Sequence, residues 1–141
     1  MSFESLSDIS WLAVVAGAVG YFVVGAVWYT PALFGKPWMR SIGWEPAPDY
    51  KPNPVIYAAP LATSLVASIA LALLAAATGS DTVAEGVCLG VVTGGLIVGS
   101  VLLVTALFDP KKPQPWVWFA ITAAYHLVGI LVASIAVSVV G

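Results

Sequence analysis

The chain has 141 residues, 60% hydrophobic and only 9% charged, whereas a soluble domain carries about 25% charged residues. So little charge cannot cover a soluble core, and the length leaves no room for a soluble module beside a membrane unit. A net charge of −2 offers no basic field to nucleic acid, which is excluded as a partner.

Four apolar stretches are each long enough for a helix crossing about 30 Å of hydrocarbon. They run from about Ile9 to Tyr29, Pro54 to Ala77, Val83 to Phe108 and Trp116 to Val140. The segment before the first, Met1 to Ser10, carries Glu4 and Asp8 and no cation. The apolar run that follows is too long for the core of a signal peptide, so the first stretch is expected to remain as a helix. Asn53-Pro54 opens the second span with a capping side chain and a proline where no N–H is needed, and Gln114-Pro115 opens the fourth in the same way. Thr82-Val83-Ala84-Glu85 has the spacing of a capping box, and Pro60 should kink the second span. The expected fold is an all-α integral membrane four-helix bundle forming one domain over 1–141.

Every cation falls in two loops: Lys36, Arg40 and Lys51 in 30–53, then Lys111 and Lys112 in 109–115. Cationic loops are retained on the cytoplasmic side, so both termini should lie outside. Trp28, Trp38, Trp44, Trp116 and Trp118 gather at that cytoplasmic boundary as an expected aromatic belt, with Trp11 opposite.

The halves resemble each other. Gly20–Phe34 matches Gly94–Phe108 at Gly20, Val24, Gly25, Val27, Ala32, Leu33 and Phe34, and LVASIA recurs at Leu65–Ala70 and Leu131–Ala136. This points to two duplicated helical hairpins related by a pseudo-two-fold along the membrane normal, with His126 standing where the first half has Pro60.

Glycine lets helices approach closely in lipid. Gly86, Gly90 and Gly94 form one row on the third span, Gly95 and Gly99 extend an adjacent face, and Gly17 and Gly20 belong to rows on the first. The expected use is packing of the first helix against the third. A second glycine face would then serve a homo-oligomer or another membrane protein.

His126 is the one ionisable side chain expected near the bilayer centre, and such residues are costly there. It can act as polar glue to a hydroxyl such as Tyr21, Thr63, Ser64 or Thr93. With Tyr125 and Tyr21 it can line a proton or substrate path. It can also ligate a haem or pigment, although no second histidine accompanies it and no cofactor is expected. Glu85 sits where capping and the helix dipole already explain a carboxylate, and Lys111 and Lys112 can offset Asp109. The lone Cys88 can form no intrachain disulfide. No nucleophile–base pair and no metal-ligand cluster is visible, so an enzyme is not expected and no metal site is assigned.

The first loop is long and rich in aromatic residues, and Lys36–Trp44 can form a short interfacial helix begun by Pro37, with Trp38 and Ile42 facing lipid. Here Gly25-Ala26-Val27-Trp28-Tyr29-Thr30-Pro31-Ala32-Leu33-Phe34-Gly35-Lys36-Pro37-Trp38-Met39 resembles the signature of the domain of unknown function 1761 family, a set of small four-span bacterial membrane proteins. Tyr125-His126 is similar to that family's last helix. The resemblance implies a bacterial cytoplasmic-membrane protein, carries no activity with it, and points to Trp28, Tyr29, Phe34, Gly35 and Trp38 as a shared site. The functional expectation is an oligomerising or accessory membrane component in contact with lipid. Alternatives are a small-molecule or ion carrier or channel using His126, and haem or pigment binding at the same residue.

Overall fold

The computed structural model describes residues 6–109 and 111–141, so the acidic position Glu4 and the loop residue Pro110 lie outside the described residues. Five helices follow in order: α1 (Trp11–Trp28), α2 (Gly35–Ser41), α3 (Val55–Thr78), α4 (Val83–Phe108) and α5 (Pro115–Val140). All but α2 are long and apolar enough to cross a membrane. No strand occurs among the described residues.

The helix starts follow local chemistry. Ser10 accepts from the Ala13 amide to begin α1. The Asn53 carboxamide oxygen accepts from the Val55 amide at 3.0 Å. At α4 the capping box closes in both directions, Thr82 accepting from the Glu85 amide while the Glu85 carboxylate accepts from the Thr82 amide. Pro115 occupies the first turn of α5, but Gln114 supplies no side-chain cap. Its amide instead donates to the Ser41 carbonyl, tying the α5 start to α2. Gly79, in the left-handed region at φ +66°, ends α3. Pro60 lies inside α3 and removes the N–H that would have closed on the Ile56 carbonyl.

α5 is the helix on which the others converge, and it runs through the middle of the assembly. Between apolar helices lipid gives no hydrophobic driving force, so stability comes from close approach and a few hydrogen bonds. Small residues make that approach possible. Gly86, Gly90 and Gly94 all turn toward α5: a Cβ at Gly86 would lie 2.8 Å from the Ile135 backbone, one at Gly90 2.5 Å from Ser134 Oγ, and one at Gly94 3.1 Å from Ile130. On α1, a Cβ at Gly17 would lie 2.5 Å from Ser68 Oγ and 3.2 Å from the Ala133 carbonyl, and one at Gly20 would meet Val132. The expected packing of the first helix on the third is therefore corrected. Both glycine rows seat against α5 because α5 lies between them.

The two LVASIA segments use one device. Ser68 and Ser134 are both fully buried, each in the notch left by a glycine of a neighbouring helix, Gly17 and Gly90 respectively. Ser68 Oγ also donates across to the Val14 carbonyl at 2.8 Å. Packing does not follow a two-fold throughout, however. α1 packs broadly against both α3 and α5, while α4 packs on α5 and barely touches α3.

The middle of α4, Val91–Val98, is π-helical. Thr93 Oγ1 bonds back to the Leu89 carbonyl at 2.7 Å, and two successive glycines follow it. Side-chain competition for the backbone and missing Cβ atoms both relax the i→i+4 ladder. Gly95, inside this segment, and Gly99, just after it, face away from the tight contacts: a Cβ at Gly95 would reach Leu127 only at 3.7 Å, and one at Gly99 would meet only its own helix. The remaining outer surfaces are apolar, with Leu12, Val66 and Leu96 largely exposed, as lipid requires.

Lys112 bonds the Asp109 carboxylate across the α4–α5 turn and holds that carboxyl below the usual carboxylate range. Its ammonium also sits 4.4 Å from the Trp118 ring centroid.

Gly90→Leu should force α4 off α5 and lower stability by about 2 kcal/mol or more, whereas Gly99→Leu should leave the melting temperature in detergent unchanged. Thermal melts followed by circular dichroism distinguish the two.

A candidate aromatic cavity at the α2 end of the bundle

The segment Trp28–Trp38 makes a tight reversal at the end of α1. The Phe34 amide donates to the Trp28 carbonyl and the Gly35 amide to the Thr30 carbonyl, both at 3.0 Å. A Cβ at Gly35 would run into the Tyr29 and Thr30 carbonyls, so glycine is required for the chain to fold back this closely. α2 begins at this glycine, two residues before the expected Pro37, because the reversal already supplies the first turn.

α2 is no lipid-facing anchor. Ser41 is fully buried and its carbonyl accepts from Gln114 at 3.1 Å, while Gly43 rests on Pro113. The helix is thus pinned over the end of the bundle, and a cavity of about 560 Å³ lies beneath it. That volume is within the range of small-molecule sites. α1 contributes Phe22, Gly25 and Ala26 to its walls, and Tyr29 and Thr30 follow directly. Gly35, Trp38, Met39 and Trp44 come from α2 and its flank, Ile56, Tyr57 and Pro60 from α3, and Tyr125 from α5. Among the described residues no charged side chain lines it, and six of these lining residues are aromatic.

The rings form a column leading from the cavity toward the bilayer centre. Tyr29 meets Trp38 edge-on at 5.4 Å and Tyr125 at 5.2 Å. Tyr125 in turn lies 5.6 Å from Tyr21 and 4.6 Å from the His126 ring. The Tyr21 hydroxyl and His126 Nδ1 share a hydrogen bond of 2.5 Å. His126 is eleven residues beyond Pro115, which puts it about 17 Å along the axis at 1.5 Å per residue, close to mid-bilayer. The column depends on two glycines: Gly25 leaves room for the Tyr125 ring, and Gly129 lies directly under the Tyr21 ring, where any side chain would collide.

The structure sorts the sequence candidates into three groups. Tyr29, Gly35, Trp38 and Tyr125 line the cavity, while Tyr21 and His126 lie behind Tyr125. Trp28 and Phe34 are braces: their rings pack at 4.6 Å, and the Trp28 indole N–H donates to the Ile121 carbonyl at 3.1 Å. Of the expected belt, then, Trp28 serves the α1–α5 contact, Trp38 and Trp44 serve the cavity, and Trp118 packs under Lys112. Gly129, Phe22 and Tyr57 escaped the sequence reading, since nothing in their spacing ties them to the Trp28–Trp38 segment, and Trp44 was expected only in the belt and the short helix. Gly129, three residues after His126, carries the one local hint.

Among the described residues no group of three His, Cys, Asp or Glu side chains gathers to hold a metal. His126 Nδ1 is taken up by the Tyr21 hydroxyl. Tyr21→Phe should cost about 0.6 kcal/mol, at most roughly 1.7, the range for interhelical hydrogen bonds in membranes. A double-mutant cycle with His126→Ala, read by unfolding in mixed micelles, should return a coupling of that size.

No curated protein and no solved structure matches the chain. A family model described as Protein of unknown function (DUF1761) matches residues 12–138, nearly the whole length. That match spans all four membrane-length helices, the Trp28–Trp38 reversal and the tyrosine–histidine column, and the chain belongs to this family.

Proposed function

We propose that this multi-pass membrane protein is a binding component or carrier, not an enzyme, and that it holds a small lipid-soluble molecule in the aromatic cavity. The observation that carries this reading is the cavity itself, which gathers Phe22, Trp38, Tyr57 and Tyr125 from four separate helices around one space. Its mouth supports entry from lipid: Ile56 and Tyr57 of α3 line the cavity and are 46% and 60% exposed. All five cations lie in the loops at this end, which supports a cytoplasmic-side cavity in a bacterial cytoplasmic membrane, with both termini outside. The Tyr21–His126 bond gives a carrier a polar element at mid-depth.

Ala26→Trp tests the reading, because Ala26 is exposed and borders the cavity, so a larger side chain fills the space without entering the core. The variant should keep its fold and lose any small molecule that native mass spectrometry finds retained by the unaltered protein. Retention by both would reject the cavity as the site.

Assembly is the second reading, favoured by one observation: the Gly95 and Gly99 face meets little or nothing of the other helices. Gly90 and Gly94 are occupied by α5 and are not available for it. Gly99→Leu should abolish a crosslinked dimer in membranes while the fold persists; an undiminished dimer would exclude this face.

A further inference from the structure

We infer that the cavity's ligand is an uncharged flat ring bearing a carbonyl oxygen on an apolar tail, the chemistry of a quinone-type lipid head. The inference rests on the cavity being a ligand site, and three features select the class. The first is charge. Among the described residues no acidic or basic side chain lines the space, and an ion buried there without a partner would lose its hydration uncompensated. The borders offer no clear dipole either, since the C-terminal end of α1 and the N-terminal end of α3 both contribute and oppose each other.

The second feature is shape. Tyr29 stands edge-on to Trp38 at 71° and to Tyr125 at 69°. Such a set of crossed rings offers faces and edges to a flat guest, in the offset or T-shaped contacts that aromatic systems favour. The third is a missing acceptor. The Trp38 indole N–H is buried and has no hydrogen-bond partner, although buried donors are nearly always paired. Trp38 lines the cavity; its N–H is closed off as the ring stands, and a small turn of the ring into the cavity would present it to a carbonyl oxygen, the group that satisfies a donor-only indole. The tail follows from the mouth, where exposed Ile56, Tyr57 and Leu61 continue the apolar lining along α3 into lipid.

Isothermal titration of the full chain in detergent with decylubiquinone, and separately with the lipophilic cation tetraphenylphosphonium, tests the assignment. Decylubiquinone should bind and tetraphenylphosphonium should not. Trp38→Phe keeps the ring and deletes one donor, so it should weaken quinone binding roughly 5- to 10-fold, the worth of one hydrogen bond. Ala26→Trp should abolish it. Quinone binding that both variants leave unchanged would overturn the inference. Binding of the cation, lost in Ala26→Trp, with no binding of the quinone would also overturn it, yet would uphold the cavity as a ligand site. If neither probe binds, the ligand class falls, and retention of a co-purified molecule in the native spectra decides the cavity separately.

Discussion

The close approach of backbones to α5 is the constraint on which the rest of the structure depends. Water drives soluble helices together by expelling apolar surface, but lipid is as apolar as leucine and supplies no such force. Glycine and serine notches supply contact instead. Gly17 takes Ser68, Gly90 takes Ser134, and Gly86 rests on the Ile135 backbone. The buried core accordingly holds few large side chains: Ala13, Ala72, Ala75, Ala133 and Val14 are typical of it. Bulk lies on the outside, where Leu and Val meet lipid.

The same economy makes the cavity possible. Because Gly25 and Gly129 carry no side chain, the Tyr125 and Tyr21 rings fit between α1 and α5 and need not be forced outward. Tyr21 then reaches His126, and Tyr125 becomes a wall shared by the polar pair and the cavity. α2 closes the space because backbone bonds hold it, through Ser41 to Gln114 and through the Gly35 reversal. A glycine at 35 and a buried serine at 41 thus do more for the site than the aromatic residues between them could do unaided.

The number of membrane-length helices and the caps at Asn53 and at Thr82 and Glu85 were legible, since hydropathy over twenty residues and a few capping side chains act locally; the expected cap at Gln114 was not made. The Trp28–Trp38 segment stood out for a different reason: it resembles a family signature, and the family model covers it. What it encloses was not legible. Tyr57 and Trp44 carry no mark that separates them from interfacial anchors, and the π-helical turn at Thr93-Gly94-Gly95 looks in sequence like any glycine row.

The sequence by itself determined that four crossings form, where each begins, and that their cations share one side, because these follow from transfer into lipid and from bonds within a turn. Only the tertiary structure decided which helix each glycine faces. A missing side chain says that something comes close without saying what, and α5 had to be placed before Gly86, Gly17, Gly25 and Gly129 acquired partners. The cavity has the same origin, since its walls come from four helices brought together at distances that no local interaction sets.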